Sequence, residues 1–191
     1  MARLTEVEAL DLFLNAQLDE LCARANAEKE RRHGKSVYWV NNRQINYTNV
    51  CVLHCKFCAF SKIKKDSPTA YDWDYGTIRN KAAEAIAGGA RELHIVGGLH
   101  PDHPFDYYIE MLRKLRVEFP KVNLKAFTAV EICHFAKISG QTPLQIMSTL
   151  KEAGLSSVPG AGAEILSDRM RQMLSPRKLT ARQWCDTLAA C

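Results

Sequence analysis

Residues 92–130 read ELHIVGGLHPDHPFDYYIEMLRKLRVEFPKVNLKAFTAV, and the succession of patterns in this stretch decides the fold. ELHIV, at 92–96, is a short apolar run of the kind a buried strand uses. Gly97 and Gly98 interrupt it. Pro104 then opens a helix over 104–118, with the stripe Tyr108, Met111, Leu112, Leu115 and Phe119 at spacings of three and four. NLKAFTAV predicts a second strand over 123–130. Strand, helix and strand joined by short connections make parallel neighbours, because a parallel pair needs a crossover.

The same alternation continues on both sides. Upstream, a helix near 75–87 is closed by Gly88 and Gly89, and SVYWV and RQINYTNV predict extended chain running into residues 51–58. Further back, Thr5 and Glu8 form a capping box, and Val7, Leu10, Leu14, Leu18, Leu21 and Ala25 predict one amphipathic helix over 6–32, stopped by Gly34. Downstream, Thr142 with Gln145 and Pro143 opens a helix that Gly154 stops; SSVPG reads as a short strand, and Thr180 with Gln183 opens a last helix. The fold class is therefore α/β: a parallel sheet, open or closed as a TIM-type (β/α) barrel, of about four βα units. A helical extension over 1–35 precedes a core domain over 36–191. A six- or eight-stranded barrel is incomplete at 191 residues, so the chain is expected to be the N-terminal portion of a longer protein.

With 47% hydrophobic and 25% charged residues the composition is that of a globular protein. The net charge of +5 is modest and spread along the chain, without the interleaving of basic and aromatic residues that marks a nucleic-acid groove. No nucleic-acid partner is expected. No apolar run approaches the roughly 20 residues of a membrane span, and Glu and Asp interrupt the N-terminal apolar pattern, so a soluble, cytoplasmic protein is expected. Seven cysteines, three clustered and four scattered, fit reduced thiols better than a disulfide framework.

The cluster is CVLHCKFC at 51–58. Cys51, Cys55 and Cys58 supply three soft ligands from one loop, enough for three corners of a 4Fe-4S cluster with one iron left open. A zinc site completed by His54 or His100, and plain buried cysteines, are the alternatives; structural zinc ordinarily uses a second CxxC-like pair, which the chain lacks. In a barrel, chemistry gathers at the C-terminal ends of the strands. Here those ends carry the cysteines, GGLHP, TAVE and PGAGAE.

CxxxCxxC with the aromatic Phe57 before the last cysteine, at the end of a first strand, resembles the radical S-adenosylmethionine (SAM) superfamily. Gly97 and Gly98 are similar to that family's glycine-rich segment after strand two, which contacts the SAM amino group. The wider text, INYTNVC, CKFCAFS, HIVGGLHPDHPFDYYIEMLR, LKAFTAVEI and LKEAGLSSVPGAGAEI, resembles the aminofutalosine synthase family of menaquinone biosynthesis over about residues 36–185. The resemblance implies Cys51, Cys55 and Cys58 as cluster ligands and SAM as co-substrate on the open iron. It also implies an external one-electron reductant such as flavodoxin or ferredoxin. The implied reaction adds the deoxyadenosyl radical to the enol ether of 3-[(1-carboxyvinyl)oxy]benzoate, with loss of a carboxyl carbon. Related families with the same organisation are the dehypoxanthine futalosine cyclases and the deazaflavin-precursor synthases.

Within that frame Phe57, Gly97, Gly98, Gly160 and Gly162 are candidate cofactor-binding residues, and His100, Glu131 and Glu164 candidate catalytic ones. Lys125 or Arg43 would meet the substrate's carboxylates. The chain departs from the family at Ala161, where a third consecutive glycine is usual. If that position needs positive φ, alanine costs on the order of 1 kcal/mol.

Overall fold

The structure is a computed structural model that describes residues 3–63 and 65–191. The chain divides into two compact units, Met1–Trp39 and Val40–Cys191.

The first unit holds α1 (Glu6–Asn15) and α2 (Leu18–His33). The expected single helix is broken at Ala16 and Gln17, both extended, although the capping box at Thr5 and Glu8 forms as expected. The acidic pair Asp19 and Glu20 in the first turn of α2 favours a new helix N-terminus there. Arg31 and Arg32 grip the Glu28 carboxylate at 2.6–2.7 Å and hold its pKa down to about 2. Val7, Leu10, Phe13, Leu14 and Leu18 are exposed, as are Val37, Tyr38 and Trp39 of the expected SVYWV strand, which forms no ladder.

The second unit is a parallel sheet with helices between its strands: β1 (Asn42–Ile45), α3 (Tyr75–Ala87), β2 (Glu92–Ile95), α4 (Phe105–Glu118), β3 (Asn123–Ala126), α5 (Ala129–Ser139), α6 (Pro143–Glu152), α7 (Asp168–Leu174) and α8 (Ala181–Ala190). The order is β1-β2-β3, with Gln44, His94 and Lys125 on one rung and Ile45, Ile95 and Ala126 on the next. Alternation sorts the two faces. Ile45, Leu93, Ile95, Leu124 and Ala126 belong to a core with Tyr108, Met111, Leu112 and Leu115, the predicted stripe of α4. Each such side chain contributes about 1.5–3 kcal/mol on burial, so this face anchors the sheet.

The opposite face is polar. Glu92 takes Asn123 Nδ2 at 2.5 Å, Lys125 Nζ at 2.9 Å and Asn42 Nδ2 at 3.5 Å. Lys125 is thereby tied to a carboxylate of its own sheet, and Arg43 lies on β1. The expected fourth strand, SSVPG, reaches the sheet only as a bridge between Ser157 and Lys125, so three strands form where four were expected.

The expected strand over 123–130 ends instead at Ala126. Phe127 turns the backbone with φ 61, a conformation that costs a non-glycine residue of order 1–3 kcal/mol. Its ring is held by Tyr47, Tyr108 and Phe135 at centroid distances of 6.5, 5.8 and 5.0 Å. Thr128 then caps α5, so Ala129, Val130 and Glu131 are helical. Arg116 links the layers by donating to Gly154 O at 2.7 Å, Val122 O at 2.8 Å and Ser156 Oγ at 2.7 Å.

Candidate active site

The site starts where β1 runs out. Asn49 fastens the segment beyond β1 through Thr69 O and Tyr71 N–H, both at 2.8 Å, and Thr48 Oγ1 donates to Tyr71 O at 2.9 Å. Cys51 N–H donates to Lys62 O at 2.9 Å, and Lys62 N–H returns to Asn49 O at 2.7 Å. The cysteine loop thus hangs from a closed stem. Within it, Cys58 N–H donates to Cys55 O, and His54 adopts φ 57 to make the bend.

Cys51, Cys55 and Cys58 are all free thiols. Cys51 is buried among Leu99, Val130, Val52, Leu53 and Leu179, whereas Cys55 and Cys58 line a cavity of about 460 Å³ with His54, Ser61 and Lys62. Burial pushes the Cys55 thiol up; the Lys178 ammonium opposes the rise, and the other two thiols and then Glu164 add to it. Three soft, unpaired donors on one loop are the set an iron–sulfur cluster takes.

Gly97 and Gly98 are required by packing. A Cβ on Gly98 would stand 2.2 Å from Val50 O and 3.1 Å from Cys51 Cβ; one on Gly97 would stand 2.6 Å from the Tyr47 ring. Both amides are spent within the fold, Gly98 N–H on Thr48 O at 2.9 Å and Gly97 N–H on Glu131 Oε1 at 3.1 Å. Their carbonyls are the groups left to accept from an ammonium.

Glu131 is buried at the third position of α5. Its Oε1 accepts from Tyr47 Oη at 2.9 Å and Gly97 N–H, and its Oε2 from Thr128 N–H at 2.7 Å and Thr128 Oγ1 at 2.8 Å. Burial raises its pKa, opposed by those donors. The carboxylate ties the β1 exit, the Gly-Gly segment and the start of α5 together.

Glu164 has φ 45 and accepts from Lys178 Nζ at 2.6 Å. Lys178 lies 5.6 Å from the Phe57 ring centroid, with its side chain only 8% exposed. It belongs to a strap over 174–179 laid on the cysteine loop: Lys56 N–H donates to Leu174 O at 2.9 Å, and Arg177 Nη1 to Val52 O at 3.3 Å. Arg171, buried, fixes the strap to the glycine segment through Leu179 O, Ala163 O and Ile165 O at 2.7, 2.5 and 2.9 Å. The sequence singled out neither Lys178 nor Arg171. Gly160 and Gly162 have φ 75 and 97, while Ala161 between them is not a positive-φ residue, so the departure at this position carries no backbone strain.

His100 stands apart from the thiols. Its Nδ1 accepts Asp102 N–H at 3.2 Å, its Nε2 lies 3.7 Å from Asp72 Oδ2, and its ring stacks on His103 at 4.0 Å. Burial, then His103, lowers its pKa, with Asp72 opposing. Asp72, His100 and His103 bring three ligand atoms within 4.8 Å. The accepted N–H leaves the His100 proton on Nε2. His103 Nε2 lies 2.8 Å from the same Asp72 oxygen.

A loop of free cysteines at the head of a parallel (β/α) sheet, with Gly-Gly packed against it from the next strand, defines a partial TIM-type barrel with a soft-ligand site. More narrowly, the chain belongs to the radical SAM superfamily, whose family model matches residues 45–191. It is 38% identical over 184 residues to the aminodeoxyfutalosine synthase of Thermus thermophilus, covering 96% of this chain and 49% of that protein. It is 36% identical to the cyclic dehypoxanthine futalosine synthase of Streptomyces coelicolor, covering 97% of this chain and 47% of that one. It is 39% identical to the 5-amino-6-(D-ribitylamino)uracil--L-tyrosine 4-hydroxyphenyl transferase of Methanopyrus kandleri, covering 94% and 48%. The chain spans about half the length of the curated relatives it matches. Among solved structures, methylornithine synthase shares the fold at a TM-score of 0.72 and 12% identity, covering 99% of this chain and 52% of that one. The FeFe-hydrogenase maturase HydG from Carboxydothermus hydrogenoformans does so at 0.72 and 18%, covering 98% and 42%. The family implies a 4Fe-4S cluster and SAM. No helix among the described residues is long and apolar enough to cross a membrane.

Proposed function

We propose that this chain carries the cluster- and SAM-binding portion of a radical SAM transferase of the aminofutalosine synthase type. The observation that carries the reading is 38% identity to aminodeoxyfutalosine synthase across 96% of the chain, together with the three free thiols on one stem-held loop. When bound, the cluster and SAM supply an electron and a deoxyadenosyl radical, which adds to the enol ether of 3-[(1-carboxyvinyl)oxy]benzoate.

The chain's own residues do the holding. Cys51, Cys55 and Cys58 are the cluster ligands. The carbonyls of Gly97 and Gly98 receive the SAM ammonium, because their amides are already engaged. Phe57 lies in the cysteine loop against Lys178, and Gly162 of the glycine segment that begins at Gly160 packs on Val130, a neighbour of Cys51. Glu131 acts by positioning Gly97, and Glu164 by holding Lys178. His100 is placed to donate from Nε2 on the strand-two side. A low-potential one-electron donor such as flavodoxin or ferredoxin is the partner.

The test is product analysis. Anaerobically reconstituted protein, given SAM, reductant and the carboxyvinyloxybenzoate, is expected to form an adduct that retains adenine. Free deoxyadenosine as the main product would replace this reading by the hydrogen-abstracting one of the cyclase or deazaflavin relatives. Stoichiometric zinc with no sulfide would remove both.

A further inference from the structure

We infer that the ion pair between the buried ammonium of Lys178 and the exposed Glu164 is a charge-setting device for the cluster at Cys51, Cys55 and Cys58, with Lys178 favouring the reduced cluster and Glu164 restraining that effect. The inference rests on the cluster reading above and goes beyond it, because neither residue is a ligand.

The geometry is specific. The ammonium of Lys178 sits 2.6 Å from Glu164 Oε1 and 5.6 Å from the ring centroid of Phe57, the residue before Cys58. With 8% of its side chain exposed, Lys178 is shielded from the ions that weaken surface charges. The Phe57 face accepts the ammonium on one side and Glu164 on the other, so the charge is fixed in place.

The strap that carries it is equally fixed. Leu174 and Val52 carbonyls bind the strap to the cysteine loop, and Arg171 binds it to the glycine segment. A Cβ at Gly162 would stand 2.6 Å from Val130 Cγ2, so glycine there lets this segment pack closely on α5.

The consequence is electrostatic. A cluster with three thiolate ligands becomes one unit more negative when an external low-potential donor passes it an electron. No bond forms or breaks in that step. A fixed ammonium nearby stabilises the added negative charge and raises the reduction potential; a fixed carboxylate lowers it. As a pair they hold the potential at an intermediate value, and each can be removed separately.

The experiment is a redox titration of the reconstituted cluster followed by electron paramagnetic resonance, without SAM or substrate. Lys178→Gln is expected to shift the midpoint downward, Glu164→Gln upward, and the double variant back toward wild type. Lys178→Arg keeps the charge and should stay near wild type. Opposite signs with restoration are not produced by a merely structural role. Should Lys178→Gln fail to hold a cluster, Glu164→Gln alone decides, since it retains Lys178. An unmoved Glu164→Gln midpoint, or two single variants moving in the same direction, overturns the inference while leaving the cluster reading intact. Wild-type protein that binds no iron and sulfide overturns the cluster reading itself.

Discussion

Replacing Glu131 by Gln changes one atom and keeps the shape, yet the structure makes it one of the most damaging substitutions in the core unit. Each carboxylate oxygen takes two donors: Tyr47 Oη and Gly97 N–H on Oε1, and Thr128 N–H and Oγ1 on Oε2. An amide offers one oxygen and one NH2. In either orientation one backbone N–H, of Gly97 or of Thr128, faces an NH2 that cannot accept, while the hydroxyl beside it turns to accept from that NH2. Hydrogen bonds to charged groups contribute about 1.5–3 kcal/mol each, and a buried donor without an acceptor costs a similar amount. The lost charge-assisted bond and its stranded N–H therefore predict a destabilisation of about 2–4 kcal/mol, a large share of the roughly 5–15 kcal/mol that holds a domain. Tyr47→Phe, which removes one donor and leaves the carboxylate intact, is expected to cost about 1–2 kcal/mol. Urea unfolding followed by far-ultraviolet circular dichroism, on metal-free protein under reductant, measures both. A Glu131→Gln protein within about 1 kcal/mol of wild type would refute the reasoning. If its activity were lost at the same time, Glu131 would instead be a group that meets substrate.

Two further outcomes follow from the same contacts. Gly98→Ala puts a methyl 2.2 Å from Val50 O and 3.1 Å from Cys51 Cβ, backbone that moves only if the cysteine stem moves. It should cost about 3 kcal/mol and lower iron retention, measured by unfolding and by iron assay, whereas unchanged iron content would contradict the tight approach. Burial raises the pKa of Tyr47, Tyr107 and Tyr108 above 10.0, Tyr107 to about 12, so their stabilising contribution is whole below pH 10.0 and is lost as pH rises through the folded values. Stability should fall by about 1.4 kcal/mol per pH unit for each tyrosine held neutral, and tyrosinate absorbance should lag until unfolding; early, reversible titration near pH 10.0 without destabilisation would disprove it.

The alternation of patterns over 92–130 was enough to place α4, β2 and the start of β3, because an amphipathic stripe and a short apolar run are local signals. The capping pairs at Thr142 and Thr180 were legible for the same reason. At 127–130 the local signal misled: FTAV reads as strand, but Phe127 is paid for by three aromatic neighbours distant in sequence, and only the Thr128–Glu131 box marked a helix start. In the N-terminal helix an unbroken apolar period concealed the interruption at Ala16, for which Asp19 and Glu20 were the sole cue. Within the candidate site, the cysteines and Gly-Gly declared themselves by spacing. Lys178 did not, since a lysine in a run of Arg-Lys is ordinarily solvated and its burial depends on contacts with residues over a hundred positions upstream.

Arg171 gives the molecule an unexpected point of fragility. Glu164 and Lys178 sit fourteen positions apart on separate segments, yet the carbonyls flanking each, at Ala163, Ile165 and Leu179, hang from one guanidinium. A lysine at 171 could not span them, because an ammonium lacks the planar fork. In a mutational screen scored by growth, position 171 would therefore cluster with the cysteines, although its side chain lies in α7 and outside the cysteine loop.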